Sequence, residues 1–235
     1  MTESDWLTAT EPRVLFGYLR GRASDRKLRL VACACCRRLW HLLTDERSRA
    51  AVEAGERFAD DPACRRELAT ARRQAWSAAR NAAEAFWPSS YSRRVARQAA
   101  LAAAGTTAKS VARSVVETVS AAAEAVAETA WLTGARRGAY AATRQAALTA
   151  EQHAQAALVR EIVGNPFRLL PRRSFPAHIV GLARSCDDAF PAIAPEYAIL
   201  ADGLEELGEV EAAAHCRQES HARGCHVVDW ILARG

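Results

Sequence analysis

Thiols and imidazoles gather at two places in this 235-residue chain. Cys33, Cys35 and Cys36 crowd together near the start, and His215, Cys216, His221, Cys225 and His226 fall within twelve residues near the end. Zinc takes four nitrogen or sulfur ligands tetrahedrally, commonly two from each of two segments. On a helical wheel Cys35 lies in the middle of an apolar stripe, while Cys33 and Cys36 sit together on its flank beside Trp40. Cys33, Cys36, His221 and Cys225 therefore make up a candidate zinc set. Two other readings use the same residues. Free cysteines also serve as small buried hydrophobes, and a C-x-x-C inside a helix is less typical of zinc than one in a tight turn. Cys225 and His221 could also pair as the nucleophile and base of a thiol-dependent enzyme.

A second pattern is cationic. Arg65, Arg66, Arg72, Arg73 and Arg80 fall on one face of a predicted helix with Trp76 and Trp87, while Leu68, Ala75, Ala79 and Phe86 occupy another. Guanidinium groups interleaved with indoles suit phosphates and stacked bases. The plain alternative is a solvated face. The net charge is only +5, and no helix-turn-helix or RNP signature accompanies the stripe. Other catalytic signatures are missing: there is no Gly-rich phosphate loop, no H-E-x-x-H and no G-x-S-x-G. Asp60-Asp61 and Asp187-Asp188 read as helix caps or ends.

These side chains need helices to position them. Twelve glycines and eight prolines are too few for a turn-rich β protein, a collagen-like chain or a disordered linker. Pro12 opens a short helix that ends near Gly21. Ser24 or Asp25 caps the next, Asp25 to Leu43, with Leu28, Val31, Cys35, Leu39 and Leu42 at helical spacing. Asp45 caps a third through Val52 and Phe58, and Asp60-Asp61-Pro62 marks a stop and a new start. From Pro62 to Val163 alanine dominates, which favours long helices. Trp87-Pro88-Ser89-Ser90 breaks this region, with weaker breaks at Gly105-Thr106-Thr107 and Thr133-Gly134. Val111, Val115, Ala122, Val126 and Ala130 form a small-residue stripe opposite Glu117, Glu124 and Glu128. Gly164-Asn165-Pro166 ends it. An irregular connector over 165–176 leads to short helices at Ala177–Asp187, Glu196–Leu207, Val210–Arg217 and Val227–Ala233.

Charge suggests how the parts meet. Residues 20–49 carry a net +6 and residues 196–211 a net −6. Such opposite fields favour packing of the two chain ends. The expected organisation is all-α: 1–61 and 164–235 form one helical head, and 62–163 forms a long alanine-rich hairpin or bundle. Met1 to Leu7 has no basic, then apolar, leader pattern, and no run of about 18 apolar residues occurs. Seven cysteines, three of them crowded, do not suit a disulfide scaffold. A cytoplasmic chain with reduced thiols and no membrane contact is expected.

Three segments carry a resemblance: Arg26-to-Trp40 (RKLRLVACACCRRLW), Asn165-to-Arg168 (NPFR), and the C-terminal run ILADGLEELG…AHCR…HARGCHVVDWIL. Together they resemble a paralogue-rich bacterial family from high-GC genomes, in which similar ends flank a variable alanine-rich middle. The resemblance covers about 60 residues at the start and 70 at the end and implies no activity. The family pattern has tryptophan where this chain has His226. Leu200 to Gly208 (LADGLEELG) is also similar to the short helix of bacterial repeat-companion domains. The resulting expectation is a non-enzymatic helical module with an unidentified protein partner and no cofactor. The alternatives are a zinc-stabilised regulatory or nucleic-acid-binding domain and a thiol-dependent enzyme.

Overall fold

A computed structural model of the chain describes residues 1–85, 89–134, 139–190 and 195–234. Among these residues the protein is all-α, with no strand. In chain order the helices are α1 (Glu3–Thr8), α2 (Pro12–Leu19), α3 (Asp25–Arg38), α4 (Glu46–Asp60), α5 (Arg65–Glu84), α6 (Ser90–Gly105), α7 (Val111–Gly134), α8 (Tyr140–Val163), α9 (Ala177–Asp188), α10 (Glu196–Glu206), α11 (Val210–Cys216) and α12 (His226–Ile231). None of the described helices is long and apolar enough to cross a membrane.

Local chemistry sets the starts. Ser24 Oγ accepts from the Lys27 N–H at 3.3 Å, Asp45 Oδ1 from the Arg47 N–H at 2.9 Å, and Asp61 Oδ1 from the Ala63 N–H at 2.9 Å. Each satisfies a donor that a helix leaves unpaired at its first turn. Helix α1 was not expected. It begins with a reciprocal cap, in which the Thr2 N–H donates to Asp5 Oδ2 (2.7 Å) and the Asp5 N–H to Thr2 Oγ1 (3.2 Å). Trp6, on α1, is fully buried. The expected break at Pro88, with Phe86 and Trp87, lies outside the described residues.

The chain forms two compact units, Thr8–Leu158 together with Met1, and Thr2–Leu7 together with Val159–Gly235. This division differs from the expected 1–61, 62–163 and 164–235. Helices α3 and α4 pack on α5, α6 and α7, and only Thr2–Leu7 belongs with the C-terminal segment. The reason lies in where the charges find partners. In the first unit Arg26 pairs with Asp60, Arg37 with Glu56, Arg38 with Glu151, and Arg47 with Asp45. In the second, Arg217 pairs with Asp202 and Glu205, Arg173 with Glu209, and Arg168 with Glu211. The basic stretch and the acidic stretch are thus each served by counter-charges of their own unit.

The first unit is built on close approach. Ala51 of α4, Ala75 of α5 and Ala104 of α6 share one fully buried cluster. At Gly105 an added Cβ would lie 2.1 Å from Thr118 Oγ1 and 3.1 Å from Thr118 Cβ, so α6 and α7 nearly touch there. The C-terminal end of α6 exposes carbonyls that a buried arginine collects. Arg29 donates to the Thr106 carbonyl at 2.5 Å and to the Ala108 carbonyl at 3.0 Å. A cation at that end also complements the helix dipole. Helices α7 and α8 run antiparallel. Gln155 Nε2 donates to the Val119 carbonyl (3.1 Å), while Arg144 reaches Glu124 and Glu128 one and two turns further along α7.

The second unit has a core of Ile179 from α9, Tyr197, Leu200 and Leu204 from α10, Ala213 and Cys216 from α11, and Val228 from α12. Arg160 Nε donates to the Trp6 carbonyl at 2.9 Å, tying α1 to the last turns of α8.

The α6–α7 contact predicts opposite effects at two helical glycines. Gly105→Ala should destabilise the protein by about 1–3 kcal/mol, because a β-branched buried threonine must move. Gly17→Ala, where nothing lies within 4 Å of the new methyl, should stabilise it by about 0.5–1 kcal/mol. Urea denaturation of both variants checks this; equal effects would contradict the close approach.

Candidate metal centre

Helix α8 ends at Val163, and Gly164 follows with φ +79°, a left-handed conformation that suits glycine at a helix end. Glu161 therefore sits in the last turn, where a carboxylate meets the negative end of the helix dipole. Its side chain is only 10% exposed. Something nearby must compensate for it, since burying an unpaired carboxylate costs several kcal/mol.

Two imidazoles and a thiol meet that carboxylate. His215, in the last turn of α11, places Nε2 3.1 Å from Glu161 Oε2. His221, in the loop before α12, places Nδ1 3.2 Å from Glu161 Oε1. Cys225, the residue before α12, places Sγ 3.1 Å from His215 Nε2. The four ligand-type atoms, one each from Glu161, His215, His221 and Cys225, all lie within 4.8 Å of one another. In a tetrahedral zinc shell with bonds of about 2.0–2.3 Å, neighbouring ligands lie about 3.3–3.8 Å apart. The donor set fits that ion in number and type, with three separations of 3.1–3.2 Å just under that range and all of them within 4.8 Å.

A further layer holds these side chains. His221 Nε2 faces the Cys216 carbonyl at 3.4 Å, and Tyr197 stacks on the His221 ring with centroids 3.8 Å apart. Because a carbonyl only accepts, Nε2 carries the proton in that bond. Nδ1 faces Glu161 Oε1, so this edge of the ring donates to the carboxylate when it carries a proton and offers a lone pair to a metal ion when it does not. His226 Nδ1 donates to the Glu161 backbone carbonyl at 2.9 Å, and its ring packs against His215 at 4.4 Å.

The electrostatics follow from burial. Burial pushes the Glu161 carboxyl up, but hydrogen bonds and charge from His215 and His221 outweigh it and hold the group well below the usual carboxylate range. Burial, and then the Glu161 charge, push the Cys225 thiol well above its ordinary value. A raised value leaves little thiolate at neutral pH, whereas a bound metal ion would deprotonate the thiol outright.

The expected zinc set is divided between the units. His221 and Cys225 lie in the cluster, with Glu161 and His215 beside them. Cys33 and Cys36 lie in the other unit on α3, fully buried. The Cys33 thiol faces the Val52 carbonyl of α4 at 3.6 Å and would be 3.0 Å from a Cβ added at Gly55. Burial comes first, followed for Cys33 by Glu56 and for Cys36 by the neighbouring thiols, in raising both well above their ordinary values. They fill helix–helix space. The imidazole next to Cys225 is His215, not His221. His215 Nε2 faces both the thiol and the carboxylate, whereas a Cys–His–acid relay uses opposite ring nitrogens.

Glu161 escaped the sequence reading. The available signal was an acid in the final turn before Gly164-Asn165-Pro166, where a helix disfavours one. On α5, Arg65, Arg66, Arg73 and Arg80 are exposed, Arg72 is half-buried, and Trp76 is 52% exposed; Trp87 lies outside the described residues. No family model, curated protein or solved structure matches the chain.

At Gly164 an added Cβ would fall 3.0–3.1 Å from three atoms of His226. Gly164→Ala should cost about 2–4 kcal/mol from left-handed strain and overpacking together. Adding His226→Ala should recover part of that loss. Strictly additive losses in a denaturant double-mutant cycle would contradict the proposed contact.

Proposed function

We propose that the C-terminal unit is a zinc-stapled helical module that presents binding surface and does not turn over substrate. The observation that carries this reading is the convergence of Glu161, His215, His221 and Cys225 within 4.8 Å in a site whose thiol is 1% exposed. Four protein ligands with little solvent access describe a structural zinc site, since a catalytic one keeps a position open. One thiolate and one carboxylate also balance the charge of Zn²⁺, so the ion would neutralise the buried Glu161 carboxylate. The ion would hold together the last turn of α8, the end of α11 and the start of α12.

The burial of Cys225 and the shared use of His215 Nε2 favour this reading over a thiol-dependent enzyme. All seven cysteines are free thiols, which supports the cytoplasm as the working compartment. Membership in the bacterial family that the end motifs resemble is part of the same proposal. At His226, where that family's pattern has tryptophan, this chain has a donor to the Glu161 carbonyl. The protein partner of the module is a protein surface yet to be identified by co-purification.

Elemental analysis of the untagged chain should give about one zinc per chain, because a structural site is normally near full occupancy. Cys225→Ser and Glu161→Gln should each release it, chelator should lower the melting temperature, and Cys36→Ser should leave the zinc content unchanged. Less than about 0.2 zinc per chain, with chelator having no effect on melting, would overturn the reading.

A further inference from the structure

The outer face of α5 gathers five arginines that no carboxylate engages among the described residues. Arg26, Arg37, Arg38 and Arg144 all reach carboxylates. Among the described residues Arg65, Arg66, Arg72 and Arg80 form no ion pair or hydrogen bond, and Arg73 reaches only the Thr70 hydroxyl at 3.1 Å. The one acid in the first turn, Glu67, is already engaged by Arg57. Glu84, in the last turn, is the other acid of the helix. Arg66, Arg73 and Arg80 recur every seven residues along one row, and Arg65 and Arg72 form a second row beside it. Trp76 stands between the rows, within one turn of Arg72, Arg73 and Arg80. Its indole is 52% exposed, and among the described residues no guanidinium lies over it. The opposite face, Leu68, Ala71, Ala75, Ala78 and Ala79, is buried in the bundle.

We propose that this face binds single-stranded nucleic acid, with the five arginines on successive phosphates and the Trp76 indole stacked on a base. Arg65 and Arg66 add positive charge where the helix dipole is already positive, a placement that an anion relieves. From Arg65 to Arg80 the helix rises about 22 Å, long enough to follow a short run of nucleotides along one strand. An acidic peptide would satisfy the arginines and leave the indole idle. A duplex hides the base faces that an indole stacks on, whereas a single strand offers them. A membrane surface would find one apolar side chain here, because the apolar face of α5 is already packed. This inference does not rest on the zinc reading.

The test uses the full chain and fluorescein-labelled dT12 in fluorescence anisotropy. Binding should weaken roughly 100-fold from about 50 to 200 mM salt if all five arginines engage, a slope of about −3.5. Trp76→Ala should weaken dT12 binding by about 6- to 150-fold. Arg73→Gln with Arg80→Gln should reduce the slope by about 1.4. A dT12·dA12 duplex should bind at least about tenfold more weakly than the single strand, because it withholds its base faces. All these side chains are exposed or half-buried, so circular dichroism should show the variants folded with unchanged melting. Absence of binding at about 50 mM salt and 50 μM protein would overturn the proposal. So would a neutral Trp76→Ala, equal affinity for the duplex, or competition by polyglutamate as effective as that by unlabelled dT12.

Discussion

A carboxylate at the wrong end of a helix, nine-tenths buried, must be neutralised, and the second unit is arranged around the groups that do so. Glu161 collects His215 from α11, His221 from the following loop and, through His215, Cys225 at the start of α12. These elements are short. Helix α11 has seven residues and α12 six, lengths at which an isolated helix is unstable in water. Toward their shared core α11 turns Ala212, Ala213 and Cys216, which bury less apolar surface than leucine or phenylalanine would. A metal bridging the four donors would add cohesion at the point where the three elements meet.

The first unit solves the same problem of cohesion differently. Its alanines, with Gly55 and Gly105, let helix backbones approach until carbonyls and hydroxyls of neighbouring helices bond directly. Thr106 Oγ1 donates to the Ala51 carbonyl of α4 at 3.2 Å, and Arg29 closes the end of α6. Cys33 and Cys36 belong to this design: a thiol is small enough to lie between α3 and α4 where a larger side chain would force the helices apart. The same residue type therefore fills space in one unit and offers a ligand in the other, and its neighbours decide which.

Much of the helical layout was legible in the sequence because caps and stops act within a few residues. Ser24, Asp45, Asp61 and Gly164 each do locally what their types suggest, and the arginine face of α5 follows from helical spacing alone. Helix α1 was not legible, since its reciprocal Thr2–Asp5 cap is short and the hydrogen bond to the Trp6 carbonyl comes from Arg160, 154 positions away. The pairing of individual charges was not legible for a similar reason. Net charge over a stretch indicates a field, yet Arg26 pairs with Asp60, Arg37 with Glu56, and Asp202 and Glu205 with Arg217, each within its own unit. Half the metal-type cluster, His221 and Cys225, could be seen as ligand types. Glu161 could not, because glutamate is common on helices and only its place in the final turn sets it apart.

The central claim is that zinc is bound by one sulfur, two imidazole nitrogens and one carboxylate oxygen. X-ray absorption at the zinc edge of the purified full chain tests this most directly. The account predicts one sulfur at about 2.3 Å and three lighter ligands at about 2.0–2.2 Å. A shell with two or more sulfurs, as Cys33 and Cys36 would give, or one made only of nitrogen and oxygen, would contradict it.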